Sequence, residues 1–187
     1  MIVTRQITAA VIAFAMLAGC SDPVEQGQAD EAEVGSELAP IILQPDGVSQ
    51  GEDMSLPYGT KQSEVIAMLE RFGLVHQGTN EECGAGPMDS ASSPATGLTA
   101  NFQDGELVGW FFEGDGKLAH TANDITVGST RATLDLAMPI EMQTESTLGI
   151  EFFSGFGEGS FIGGFLSDDS DNATVESLYS GTNCFFR

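Results

Sequence analysis

Three cysteines, two histidines and 28 aspartate and glutamate side chains carry most of the reactive chemistry of this 187-residue chain. His76 and His120 stand alone. Neither belongs to a His-Glu-x-x-His helix, and no Cys/His quartet completes a zinc set. Each is expected as a surface or loop residue. An activated serine on a strand-to-helix elbow needs Gly-x-Ser-x-Gly, which does not occur. Asp168-Asp169-Ser170-Asp171-Asn172 is the best local cluster for a divalent cation, but it lacks the glycine and the closing glutamate of a calcium loop. Gly155-Phe156-Gly157-Glu158-Gly159 loosely suggests a phosphate cradle. It carries an acid and misses the third spaced glycine, so it is expected as a hairpin loop. Motifs therefore assign no catalytic, metal or cofactor-binding residue. A dispersed Asp/Glu pair could still hydrolyse a substrate by general acid–base chemistry, and no spacing would reveal it.

The cysteines are more informative. Cys20 follows Leu17-Ala18-Gly19 at the end of an apolar run from Ile7 to Leu17, broken only by Thr8 and preceded by Arg5. A charged start, a short apolar segment and small residues before the cut describe a secretory signal, too short to span a membrane. Leu17-Ala18-Gly19-Cys20 resembles the bacterial lipoprotein box. The resemblance implies that residues 1–19 are removed, that the Cys20 thiol receives a diacylglyceryl group, and that the new amino terminus is acylated with a fatty acid such as palmitate. Two or more acyl chains give stable membrane anchoring. Ser21, rather than Asp, follows the cysteine. By the sorting rule of enteric bacteria that implies the outer membrane, facing the periplasm. Lipidation leaves Cys83 and Cys184, and two thiols in an oxidising compartment are expected to pair as a disulfide. The bond would close a loop of about 100 residues and contribute about 2–5 kcal/mol. Two buried free thiols are the alternative.

Charge narrows the partners. Without residues 1–19 the chain keeps five basic residues (Lys61, Arg71, Lys117, Arg131, Arg187) against 28 acidic ones, a formal charge of −23. Such a surface repels phosphate backbones, so nucleic acid is excluded as a partner. It also disfavours adhesion to anionic lipid, leaving the lipid on Cys20 as the membrane attachment.

The elements that must position these residues fall behind a spacer. Residues 20–38 are rich in Gln, Glu, Asp, Ala and Gly, without an aromatic or basic side chain. Such a segment cannot bury enough apolar surface to offset its ordering entropy, which predicts a disordered acidic tether with a reach of roughly 25 Å. Residues 39–187 are expected to fold as one compact α+β domain of two tandem repeats, about 42–110 and 111–187. Aligning Asp46-Gly47 with Asp115-Gly116 brings Gly59 onto Gly128 without a gap. In this register Thr60 and Ser129 are expected to cap two helices. The first would bury Val65, Ile66, Leu69 and Phe72, and the second Leu134, Ala137 and Met138 before Pro139 stops it. An antiparallel hairpin is expected after each helix: Leu98 to Phe112 around Asp104-Gly105, then Leu148–Phe153 with Phe161–Leu166, followed by a strand at Val175–Tyr179.

A helix followed by antiparallel strands, twice, behind a lipoprotein box is similar in architecture to the SmpA/OmlA-type periplasmic lipoproteins and the tandem-repeat beta-lactamase-inhibitor proteins. The carriers are Leu56-Pro57-Tyr58-Gly59-Thr60 and Ile125-Thr126-Val127-Gly128-Ser129 with their helices and hairpins. That resemblance implies a non-enzymatic, protein-facing module without assigning contact residues. Asn183-Cys184 is similar to the nucleophile pair of aspartate-semialdehyde dehydrogenases. The glycine fingerprint of a nucleotide-binding half is missing, so the dehydrogenase reading is rejected. Adjacent pairs such as Phe111-Phe112 and Phe152-Phe153 must put one ring on each sheet face, and the outward rings need cover from a helix or a partner. The expectation is a membrane-anchored, non-enzymatic binding or envelope-structural module with a protein or envelope partner. A periplasmic hydrolase using an Asp/Glu pair is the alternative.

Overall fold

Twelve short strands and two short helices organise the chain in a computed structural model that describes residues 38–155 and 160–185. They lie in one compact unit, Glu37–Arg187. The expected signal segment 1–19, lipid site Cys20 and nearly all of the tether 20–38 lie outside the described residues.

The chain opens with a meander of β1 (Ile41–Gln44), β2 (Gly47–Gln50) and β3 (Met54–Pro57). Helix α1 (Gln62–Glu70) follows, then β4 (His76–Asn80), β5 (Met88–Ser93), β6 (Leu98–Gln103) and β7 (Glu106–Phe112). Strand β8 (Ala119–Thr121) leads to α2 (Arg131–Ala137), and then to β9 (Ile140–Gln143), β10 (Ile150–Ser154), β11 (Ile162–Leu166) and β12 (Val175–Gly181). The strands form a four-stranded sheet, β3-β2-β1-β8, and an eight-stranded sheet, β4-β5-β6-β7-β12-β11-β10-β9. Among the described strands only the β1–β8 pair is parallel.

This architecture corrects the expected α+β class. The fold is mostly β, with helices of nine and seven residues. Each helix is followed by four successively paired strands rather than one hairpin. The two sets of four join at β7 and β12 into one continuous sheet. The missed strands are short and chemically unlike strands. His76–Asn80 and Met88–Ser93 contain one β-branched residue between them. Pairing with each other and, through β5, with β6, rather than intrinsic propensity, makes them extended.

The capping assignments also change. Helix α1 has Lys61 at its N-cap with no side-chain cap hydrogen bond, so Thr60 does not cap it. Thr130 caps α2 by accepting from the Thr133 N–H, while the Ser129 hydroxyl accepts from the Thr126 N–H. Phe72 lies beyond α1, and Gly73, at φ 130°, ends that turn. Met138 is extended (φ −154°, ψ 144°) because Pro139 disfavours the helical region for the residue before it. The Asp-Gly pairs are unlike: Gly47 begins β2, whereas Gly116 sits in a loop against Thr126. Gly59 and Gly128 do share a conformation, at φ 88° and 86°. Their N–H groups donate to Leu107 and Val175 of the large sheet.

The core lies between the sheets. Ile41, Leu43, Val48 and Leu56 from the small sheet, with Val65, Met68 and Leu69 of α1 and Leu134 of α2, cluster with Leu98, Trp110, Phe112, Phe152 and Leu178 of the large one. The Trp110 indole N–H donates to the Gln44 carbonyl at 2.9 Å, and the Ser180 hydroxyl to the Pro45 carbonyl at 2.7 Å. These bonds tie the middle of the large sheet to the β1–β2 turn. The β6–β7 turn is built as the sequence indicates: Asp104 and Gly105 take φ 53° and 78°, the left-handed pair of a two-residue hairpin turn.

Candidate functional site: the outer face of the large sheet

Strand alternation sends neighbouring residues to opposite faces, so the core-facing row defines its opposite. Leu98, Phe112, Leu178, Gly164, Phe152 and Met142 are paired across six strands on the inner side. One residue away runs the outer row: His76, Ser92, Thr99, Phe111, Tyr179, Gly163, Phe153 and Glu141. It crosses all eight strands and divides in chemistry between β6 and β7. Phe112 and Phe152 are fully buried, while Phe111 and Phe153 lie half-buried on the outer side.

Tyr179 is the centre of this face, 2% exposed. Phe185 packs edge-on against it with ring centroids 4.9 Å apart, Phe165 lies at 5.7 Å, and Phe153 and Phe161 at 6.2 Å. Phe111 meets Phe185 edge-on at 6.1 Å. Edge-to-face pairs contribute about 0.5–1.5 kcal/mol beyond area burial. The five phenylalanines remain half-buried. The Gly163-Gly164 pair makes the arrangement possible. A Cβ on Gly163 would lie 2.8 Å from the Tyr179 hydroxyl, and one on Gly164 would lie 2.6 Å from the Phe152 ring. Rings from both faces thus lie directly on the β11 backbone.

Beneath the aromatic cluster the Tyr179 hydroxyl donates to Glu151 Oε1. Glu151 is fully buried and also lines a cleft of about 390 Å³ with Arg131, Gln143, Thr144, Asp169 and Asp171. The Arg131 guanidinium is held by Asp135 at 2.9 Å. Sequence reading missed the Tyr179–Glu151 pair. A single acid in Ile150-Glu151-Phe152-Phe153 resembles an ordinary solvent-facing strand position until the rings around it are placed.

The C-terminal segment completes the face. Thr182 N–H donates to the Val108 carbonyl, and Asn101 Nδ2 donates to Asn183 Oδ1 at 2.8 Å. Asn183 Nδ2 in turn donates to the Ser180 carbonyl at 2.8 Å. Asn183 is therefore occupied as a structural clamp. Cys184 reaches the β4–β5 loop, where it stands 2.6 Å from the buried Cys83. Asn80 Nδ2 donates to Cys184 Sγ at 3.2 Å. The hydrogen bond with Cys83, then burial, push the Cys184 thiol above its ordinary range.

The remaining sequence candidates lie apart from the aromatic cluster. His120 is half-buried, with Nδ1 3.4 Å from an Asp124 carboxylate oxygen. His76 is exposed on the edge strand β4. Asp168 accepts from the Ser170 N–H and the Ser167 hydroxyl, and the Ser170 contacts first, then Ser167, hold its carboxyl below the usual range. Among the described residues no group of three or more His, Cys, Asp or Glu side chains is arranged to hold a metal ion. No described helix is long and apolar enough to cross a membrane. Comparison with protein-family models, curated proteins and solved structures gives no match.

Proposed function

We propose that the chain is a lipid-anchored lipoprotein of the cell envelope whose outer sheet face docks a protein partner. In this reading residues 1–19 direct export, Cys20 carries the lipid and residues 20–38 tether the domain at the outer membrane on its periplasmic side. The carrying observation is the ring of Phe111, Phe153, Phe161, Phe165 and Phe185 around Tyr179, on the side of the sheet opposite the core. None of the eight strands beneath it contains Lys or Arg, and exposed Glu141 pairs directly with Phe153. The complementary partner is a protein surface with apolar side chains inside a basic rim.

Membrane fractionation of wild type and Cys20→Ala tests the anchor. Wild type in the membrane and the variant released support it, and soluble behaviour of both overturns it. Photo-crosslinking in cells tests the face, with the reactive group replacing Phe153 or, as control, Thr99. An adduct at 153 alone that is lost with Glu141→Lys supports the docking reading. Equal adducts at both positions, or an adduct insensitive to the charge reversal, overturn it.

The cleft lined by Glu151, Asp169 and Asp171 favours a second reading, hydrolysis by a carboxylate pair. Turnover in a broad substrate screen that Asp169→Asn and Asp171→Asn remove, with folding intact, would establish it over the first.

A further inference from the structure

We infer that Cys83 and Cys184 form a disulfide latch that holds Phe185 closed over Tyr179 and thereby regulates access to the aromatic face. The latch rests on the docking reading for its biological use, but its chemistry stands on separate observations.

The two sulfurs come from distant parts of the chain, one in the β4–β5 loop and one just after β12. They are side by side, and Cys83 is buried. Phe185, the next residue, contacts Tyr179, Phe165 and Phe111, spanning the seam between the two halves of the sheet. On the other side of Cys184, Asn183 is clamped by Asn101 and the Ser180 carbonyl. The polypeptide between clamp and ring is thus Cys184 itself. Two further bonds fix the receiving loop: Gln103 Nε2 donates to the Ala85 carbonyl at 2.8 Å, and the Gly86 N–H to the Cys83 carbonyl at 3.0 Å. With the sulfurs joined, Cys184 is tied to this loop and Phe185 starts one residue from that anchor, which restricts how far its backbone can move from Tyr179. With the sulfurs reduced, the Asn183 clamp and the packing of the ring are what hold Phe185 in place.

The bond forms by exchange with the disulfide of a thiol-oxidising envelope protein. The Cys184 thiolate, the more accessible of the two, attacks one sulfur of the oxidant and releases its other sulfur as a thiolate. Cys83 then attacks Cys184 Sγ and displaces the oxidant's remaining sulfur. Two protons and two electrons pass to the oxidant, which leaves as a dithiol. A dithiol reductant reverses the steps.

Thiol titration and hydrogen exchange on the detergent-extracted, full lipidated protein test the latch. Under denaturing, non-reducing conditions no titratable thiol is expected, and two after reduction. Amide exchange across Thr182–Phe185 should accelerate by about tenfold or more on reduction, with the β6–β7 hairpin unchanged, as local opening requires. The Cys83→Ser/Cys184→Ser variant should match the reduced protein, and reduction of wild type provides the comparison if that variant folds poorly. Two titratable thiols before reduction, or identical exchange in both states, overturn the latch. A redox-dependent change without a crosslink at 153 leaves the latch standing and removes the docking reading. A crosslink at 153 with redox-independent exchange does the reverse.

Discussion

The two halves of the large sheet share a core and differ on their outer face. From β4 to β6 the outer row is His76, Ser92 and Thr99, with the Ser92 and Thr99 hydroxyls joined at 2.8 Å. From β7 to β10 it is Phe111, Tyr179, Gly163 and Phe153. The half-buried Ser92 and Thr99 hydroxyls satisfy each other, so this row presents no apolar area that needs cover. The second half concentrates rings over a buried carboxylate and draws the C-terminal segment across them. One sheet thus has a finished surface and a surface that still presents apolar area. The difference locates the region where a partner gains most by burial.

Substitutions can break this contrast, and the largest effect is expected at its centre. Tyr179→Ala should destabilise by about 3–5 kcal/mol, since it empties a buried ring site and removes the donor to Glu151. Ser92→Ala, at the corresponding row of the polar half, should cost only about 0.5–1.5 kcal/mol through the lost Thr99 bond. Urea denaturation midpoints compare the two, and similar losses would erase the distinction between the halves. Tyr179→Phe keeps the ring and removes only the hydroxyl, so about 1–3 kcal/mol is expected. Gly163→Ala should cost a similar amount, about 1–3 kcal/mol, by pressing a methyl group into that ring. Thermal unfolding midpoints measure both losses, and a Gly163→Ala midpoint equal to that of wild type would show that the ring does not press on β11.

Across the seam the expected effects become smaller. Asn101→Ala should cost about 1 kcal/mol by freeing Asn183, and hydrogen exchange should localise the loosening to Thr182–Phe185. Tyr58 supplies a pH-dependent test from the core side. Burial pushes its hydroxyl up to about 12, with Ser180 pulling the other way. An unfolded tyrosine ionises near 10, so folding favours the neutral form. Its contribution is full below about pH 10 and is lost as pH rises through about 12. Tyr58→Phe should lack that alkaline decline in stability, while matching wild type in its pH dependence near neutrality.

Part of this organisation is legible residue by residue. Asp104-Gly105 specifies its turn because two consecutive left-handed residues strongly favour that pair. Phe111-Phe112 and Phe152-Phe153 must place rings on both faces because a strand alternates. Helices are overread because Val65, Ile66, Leu69 and Phe72 satisfy a helical period that α1 sustains for only nine residues. The polar strands β4 and β5 are invisible to such rules, since Met88–Ser93 is extended only through its neighbours.

Local chemistry and composition by themselves determined the lipoprotein-box resemblance at Cys20, the acidity of the chain and the turn at Asp104-Gly105, because none of them depends on which distant residues meet. Tertiary structure decided that the four-strand sets merge at β7 and β12, that Tyr179 meets Glu151 through Gly163-Gly164, and that Cys184 arrives beside Cys83. Those outcomes depend on sheet order and register, which couple residues far apart in the chain. Strand propensity contains no information about which distant strand becomes the neighbour.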